Sequence, residues 1–236
     1  MFRGDHPELR RTVTRALGVA RELGHPRAGS EHLLLALTAP GHTIGALLGR
    51  HGATEAAVRE AVRRAAPLGA GAAADRDTLA PLGIDVDGLL SRLTPGVLDR
   101  ATAAEPLLPF GSAEARRRCA RTSPPLGLDA QAAYEASLRL ALARRDREHR
   151  PEHLALCLVA LDPGVRWVLD AVGVGASTVL ADLADAFPPP SRNPLLRAER
   201  RIGRRARGQD LIRRYQRTTG RTVTSGGAIG TLICPC

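Results

Sequence analysis

The chain of 236 residues contains no lysine: all 34 of its basic side chains are arginine. A nucleotide loop of the G-x-x-x-x-G-K-[ST] type is therefore excluded, since its phosphate-binding lysine is missing. Aromatic residues are scarce, with one Trp, two Tyr and three Phe. The core is expected to be aliphatic, built from Leu, Val and Ala, which favours helices over a sandwich or barrel. No apolar run reaches the roughly 18–20 residues that span a bilayer. The charged start "MFRGDHPELRR" lacks the apolar centre of a signal peptide, so a cytoplasmic location is the expectation. Of four cysteines, Cys119 and Cys157 stand alone and Cys234 and Cys236 form a terminal C-P-C. Neither a zinc-site spacing nor a disulfide framework can be read from them.

What is present begins with an uneven charge. The formal net charge is +10, and the stretch from Arg192 to Arg221 carries eleven Arg against Glu199 and Asp210, a balance of +9. The basicity belongs to a C-terminal arm. Such an arm suits docking on acidic residues of its own domain or of a partner. It also suits salt-dependent contact with nucleic acid through residues 192–221, or one apolar-basic face laid on an anionic membrane.

The second positive feature is a repeat. Sliding the chain by 121 residues aligns Glu31–Val62 with Glu152–Leu183 without a gap, and nine of 32 positions are identical. They include Glu31/Glu152, His32/His153, Leu33/Leu154, Leu48/Leu169, Gly52/Gly173 and Val58/Val179. Each copy reads as four short helices. The first copy starts with Leu9, Val13, Ala16, Leu17, Ala20 and Leu23 at helical spacing, with Gly24 just past the helix end. Ser30 is expected to cap a helix through Leu37. A third helix covers Thr43–Arg50, and Thr54 caps a fourth over Glu55–Arg64. The second copy predicts helices over Asp129–Arg144, Pro151–Ala160, Pro163–Val172 and Ala176–Phe187, with Pro151 and Pro163 in first turns. One such unit of about 60 residues is small for independent stability, so two copies are expected to share a core.

The resulting division is a first repeat at 1–66, a linker and insert with short helices at 67–125, a second repeat at 126–187, and an Arg-rich arm at 188–236. "APLGAGAAAD" has the composition of a flexible linker. Short helices are expected over Asp85–Leu93, Pro95–Ala103 and Ala113–Ala120, and Gly83 takes the place that Gly52 and Gly173 hold in the repeats.

Catalytic patterns were weighed and do not fit. A zinc-protease helix needs H-E-x-x-H, but "SEHLL" and "PEHLA" reverse that order and have no second His one turn on. His149 and His153 are four apart, yet Pro151 between them marks a helix start. There is no G-x-S-x-G turn and no Cys with a His partner, so the chain reads as no enzyme, with no cofactor and no metal ligands. Cys157 sits on a leucine-rich helix as a small core residue. A Glu in the first turn gains about 0.3–1 kcal/mol from the helix dipole. The adjacent His is expected to bond a neighbouring loop carbonyl and close the turn.

The sequence "RELGHPRAGSEHLLLALTAPG", with its weaker echo "ARRDREHRPEHLALCLVALD", resembles the amino-terminal double-repeat domain of the Clp ATPases. The resemblance covers about residues 5–66 and 126–187. It implies an all-α fold of two pseudo-symmetric four-helix repeats and a non-enzymatic protein-binding role. The partners it implies are a Clp ATPase, an adaptor or a client protein. Some family members recognise phosphoarginine with the Glu of each E-H-L motif and a Thr 25 residues before it. The Glu positions match Glu31 and Glu152, while the Thr positions fall on His6 and Gly127. Ligand or peptide recognition is therefore expected at Glu31, Glu152 and His6.

Overall fold

A computed structural model describes residues 3–88 and 122–189 of the chain. Its first four helices are α1 (Pro7–Glu22), α2 (Ser30–Leu37), α3 (Thr43–Arg50) and α4 (Glu55–Arg64). The second repeat supplies α6 (Leu128–Arg144), α7 (Pro151–Leu161), α8 (Pro163–Ala171) and α9 (Ala176–Ala186). Between them lies α5 (Ala70–Leu79), followed by a single 3-10 turn, Ala80–Leu82. Among the described residues there is no strand, and no single helix is long and apolar enough to cross a membrane.

The helix ends follow local chemistry. Gly24 lies just past α1 at φ +69°, where a side chain would be strained, and the His25 amide reaches back to the Ala20 carbonyl at 2.9 Å. Thr54 Oγ1 accepts from the Ala57 amide at 3.3 Å and starts α4. Replacing Thr54 with Ala is expected to cost about 1 kcal/mol in urea unfolding, the usual worth of such a cap. Asp162 ends α7 and begins α8, accepting the Val165 amide at 2.9 Å. Ser30 departs from expectation. It is the first helical residue of α2, and Gly29 is the cap, because the Ser30 hydroxyl is spent on Asp162 at 2.7 Å.

Helices α2 and α7 form the centre. Every residue of α2 is buried, as is every residue of α7 except Glu152. Their leucines (Leu33, Leu34, Leu35, Leu37, Leu154, Leu156, Leu158) join Leu48, Val58, Leu169 and Val179 in one aliphatic core. The pseudo-symmetry is geometric as well as sequential. Two isolated parallel bridges occur, Asp5 with His149 and Ala28 with Leu126. Adding 121 to Asp5 gives 126, and adding 121 to Ala28 gives 149, so each bridge is the other's image. The contacts follow the same exchange: α2 meets α6 and α8, α7 meets α1 and α3, and α4 with α8 mirrors α9 with α3.

The Ala- and Gly-rich stretch expected as a flexible linker is corrected by α5. Alanine is the strongest helix former, which outweighs two flanking glycines. Ala70 and Ala73 are buried, and Trp167 Nε1 on α8 donates to Asp77 Oδ2 at 2.7 Å. Gly83 closes the following turn at φ +73°, in the same left-handed state as Gly52 and Gly173. The helices expected at 95–103 and 113–120, all but the start of that at 85–93, the Arg-rich arm and the terminal C-P-C lie outside the described residues.

Candidate functional site

Each E-H-L motif opens a central helix, and its His is a capping residue. His32 Nδ1 accepts from the Gly29 amide at 3.0 Å, and His153 Nδ1 accepts from the Arg150 amide at 3.0 Å. This is the capping-box arrangement with imidazole in the role of Glu or Gln. An Nδ1 that accepts leaves the ring proton on Nε2. His32 Nε2 therefore donates to His25 Nδ1 at 2.9 Å, and His153 Nε2 donates to Asp146 Oδ2 at 2.7 Å. His25 and Asp146 are again 121 apart. The turn is closed as expected, but through a backbone amide and a side chain, not a loop carbonyl.

The two glutamates differ. Glu31 is 2% exposed. Its Oε1 lies 3.1 Å from His32 Nδ1, and its Oε2 has no hydrogen-bond partner. A Cβ on Gly29 would sit 2.4 Å from its carboxylate, and one on Gly69 would sit 3.0 Å from it, so the start of α5 seals this side chain in. Asp129 and Asp162 lie alongside: the Ser30 amide donates to Asp129 Oδ2 at 2.8 Å and the Ser30 hydroxyl to Asp162. Burial, then the negative charges of Glu31 and Asp162, push Asp129 up to about 6, against the pull of the Ser30 and Ala130 amides. Glu152 also has an unpartnered Oε2, yet it is only part-buried.

The bridges decide which expected residues share an end of the molecule. The His6 amide bonds the His149 carbonyl at 2.8 Å, just before α7, so His6 belongs with Glu152. The Gly127 amide bonds the Ala28 carbonyl at 2.9 Å, just before α2, so Gly127 belongs with Glu31. The pairing crosses the repeats, which spacing along one repeat does not reveal. A Cβ at Gly127 would meet Asp129 Oδ1 at 2.4 Å. His6 caps α1, its Nδ1 accepting from the Glu8 amide at 3.3 Å, with the Glu8 carboxylate between it and His42.

One polar cluster has no counterpart in the sequence reading. His149 Nδ1 lies 2.9 Å from Asp5 Oδ1, His149 Nε2 lies 2.7 Å from Ser137 Oγ, and the Tyr134 hydroxyl donates to Asp5 Oδ2. Burial holds His149 below its ordinary value, against the hydrogen bond and charge of Asp5. The ring donates to Asp5 from Nδ1, and at Nε2 it meets the Ser137 hydroxyl, whose proton also has the Tyr134 carbonyl at 2.7 Å. The connectivity is that of a Ser-His-Asp hydrolase. However, Ser137 and His149 are both fully buried, so no substrate reaches the hydroxyl. At the symmetric positions stand Val13, Ala16, Ala28 and Leu126, all apolar, so the repeat carries no signal for this cluster. Cys157 is also buried, and burial pushes its thiol up to about 12, as suits a core residue.

Residues 6–94 match the family model described as the Clp repeat (R) N-terminal domain. A similar solved structure is the N-terminal domain of ClpD, a caseinolytic protease associated chaperone of Arabidopsis thaliana. The match has 18% identity and a TM-score of 0.46, and covers 77% of this chain and 93% of that one. No curated protein matches.

Proposed function

We propose, from the match of residues 6–94 to the Clp repeat (R) N-terminal domain, that the chain is a non-enzymatic protein-docking module. Its partners are a Clp ATPase, an adaptor or a client of a chaperone-protease system. It meets them at the end that carries His6 and Glu152. The observation behind this choice of end is the contrast in burial between the two glutamates. Glu31 lies under Gly69, whereas Glu152 is part-exposed; each has one buried carboxylate oxygen without a partner, so the two differ in exposure. A part-exposed carboxylate in a helix first turn suits a cationic or hydrogen-bond-donating group of an incoming chain. His6, 29% exposed in its side chain, is tied to the same end through its amide bond to the His149 carbonyl and offers a second polar group.

Two measurements test this. The full chain, crosslinked in its native lysate, is expected to capture a Clp ATPase, an adaptor or an unfolded client, and recovery of none of these sinks the docking role. The resemblance-derived ligand is tested with arginine-phosphorylated casein against unmodified casein. Glu152→Gln is expected to weaken its binding about tenfold or more, the worth of one charge-assisted hydrogen bond at ~1.5–3 kcal/mol. Glu31→Gln is expected to leave it unchanged. Equal loss in both variants would remove the assignment to the His6 end.

A further inference from the structure

The region around Glu31 holds an arrangement that capping does not account for. One ligand-type atom from each of His25, Glu31 and His32 lies within 4.8 Å of the other two, and all three residues are buried. Glu31 Oε2 has no hydrogen-bond partner at 2% residue exposure. The two atoms that do face each other, Glu31 Oε1 and His32 Nδ1 at 3.1 Å, are both acceptors, because His32 Nδ1 already takes the Gly29 amide proton. A buried carboxylate oxygen that no donor meets is costly unless a cation lies beside it. Asp129 and Asp162 add negative charge alongside, but their oxygens are met by the Ser30 and Val165 amides and the Ser30 hydroxyl. The excess therefore resides on Glu31.

The second repeat provides an internal comparison. There the ring that corresponds to His32 gives its Nε2 proton to Asp146, and a carboxylate accepts it. In the first repeat that place is taken by His25. His25 Nδ1 is the acceptor of that contact at 2.9 Å, so a ring lone pair stands where the second repeat has a carboxylate. A neutral imidazole pair with a carboxylate is a nitrogen-rich set suited to zinc, cobalt or nickel rather than to magnesium or calcium.

We propose that His25, Glu31 and His32 form a divalent transition-metal site of the zinc class, present in the first repeat and absent from the second. On uptake the His32 proton moves from Nε2 to Nδ1, where Glu31 Oε1 at 3.1 Å accepts it and the Gly29 amide is given up, so both rings ligate as neutral imidazoles and the metal's charge offsets Glu31. His25, at 9% exposure, is the outermost of the three and marks the side of entry. The site pins the loop after α1 to the start of α2.

The test uses the untagged full chain with Cys119, Cys234 and Cys236 replaced by Ser, so that no accessible thiolate competes. Cobalt(II) is the probe. The expected result is one bound equivalent with visible ligand-field bands, displaced by zinc. The melting temperature should rise with metal, as linkage requires for a ligand of the folded state. His25→Asn keeps an acceptor for the His32 proton but loses the imidazole, and is expected to bind cobalt at least tenfold more weakly. Asp146→Asn in the second repeat should bind as the parent does. A readout free of any variant is the imidazole nitrogen spectrum of the parent protein with zinc. Shifts at His25 and His32 support the site. Absence of bound cobalt, undiminished binding in His25→Asn, or shifts confined to the other five histidines overturn it.

Discussion

Asp5→Ala is expected to lose about 2–4 kcal/mol of stability, because the buried His149 loses its carboxylate acceptor at roughly 1–3 kcal/mol and the half-buried Tyr134 hydroxyl loses a hydrogen bond of roughly 1 kcal/mol. The donors are His149 Nδ1–H and the Tyr134 hydroxyl, which both end on this one carboxylate. The Asp5 side chain is 32% exposed, so water replaces part of what is lost. The same residue holds a backbone bridge to His149, which explains why a position five residues into the chain matters to the second repeat. Asp5→Asn should cost less, since its amide oxygen still accepts one of the two bonds. Urea unfolding of the three proteins gives the ranking, and an Asp5→Ala protein as stable as the parent would remove the cluster from any structural role.

The same cluster sets a pH dependence whose sign can be worked out. Burial alone would raise Asp5, but hydrogen bonds from His149 and Tyr134, then the charges of His149 and Arg10, outweigh it and hold it below the ordinary value of 3.8. A depressed carboxylate contributes stability above its unfolded value and loses it as pH falls through the folded one. His149 is held below its ordinary 6.5, chiefly by burial. The unfolded chain then takes up a proton before the folded one does, so stability declines as pH falls below about 6.5. Two stages of acid loss are expected: the first starts near pH 6.5 and the second lies below 3.8. His149→Gln should flatten the first stage and shrink the second, because His149 supplies much of what depresses Asp5. Asp129, raised to about 6, works in the opposite sense and His25 in the same one, so the measure is the difference between the two proteins: the same slope between pH 7 and pH 5 in the parent and in His149→Gln would contradict the assignment.

How much of this was legible depends on whether a feature repeats. Thr54, Gly24, Gly52 and Gly173 were readable because each is a local signal, a cap or a left-handed turn, set beside an apolar pattern of helical period. The helix ends of both repeats accordingly match expectation to within about two residues. Ser30 misled because its hydroxyl serves Asp162, 132 residues away, a tertiary demand that overrode its local preference for capping. The Asp5–His149–Ser137 cluster was invisible for the same reason, since its members lie in three segments and are replaced by apolar residues in the other copy. Glu31, Glu152 and His6 were each named from the motif. That His6 lies at the end of the molecule that carries Glu152 rather than Glu31 follows only from the exchange of leading segments between the repeats. A motif search built on H-E-x-x-H also passed over His25, which lies six residues before Glu31 and meets it only through the turn at Gly29.

Helix α5 is the part that composition described worst, and it carries the remaining large effect. Gly164→Val is expected to lift α5 from α8. A Cβ at Gly164 would stand 2.7 Å from the Gly71 nitrogen, 3.0 Å from the Ala70 carbonyl carbon and 3.1 Å from the Gly71 Cα. These are backbone atoms, and no rotamer change relieves the contact. Overpacking of this kind costs about 1–3 kcal/mol when the structure absorbs it. Here the easier relief is outward movement of α5, because it touches the body mainly along α8 and its core contribution is Ala70 and Ala73. Three consequences should appear together. Amide exchange should quicken across residues 69–79 while α2 and α7 keep their protection, the Trp167–Asp77 hydrogen bond should be lost, and Glu31 should become reachable by solvent. Gly18→Ala is the control: a Cβ there meets nothing within 4 Å inside α1, so it should stabilise by about 0.5–1 kcal/mol. A Gly164→Val protein whose exchange in α5 equals that of the parent would mean that the helix is not held where the glycine contact places it.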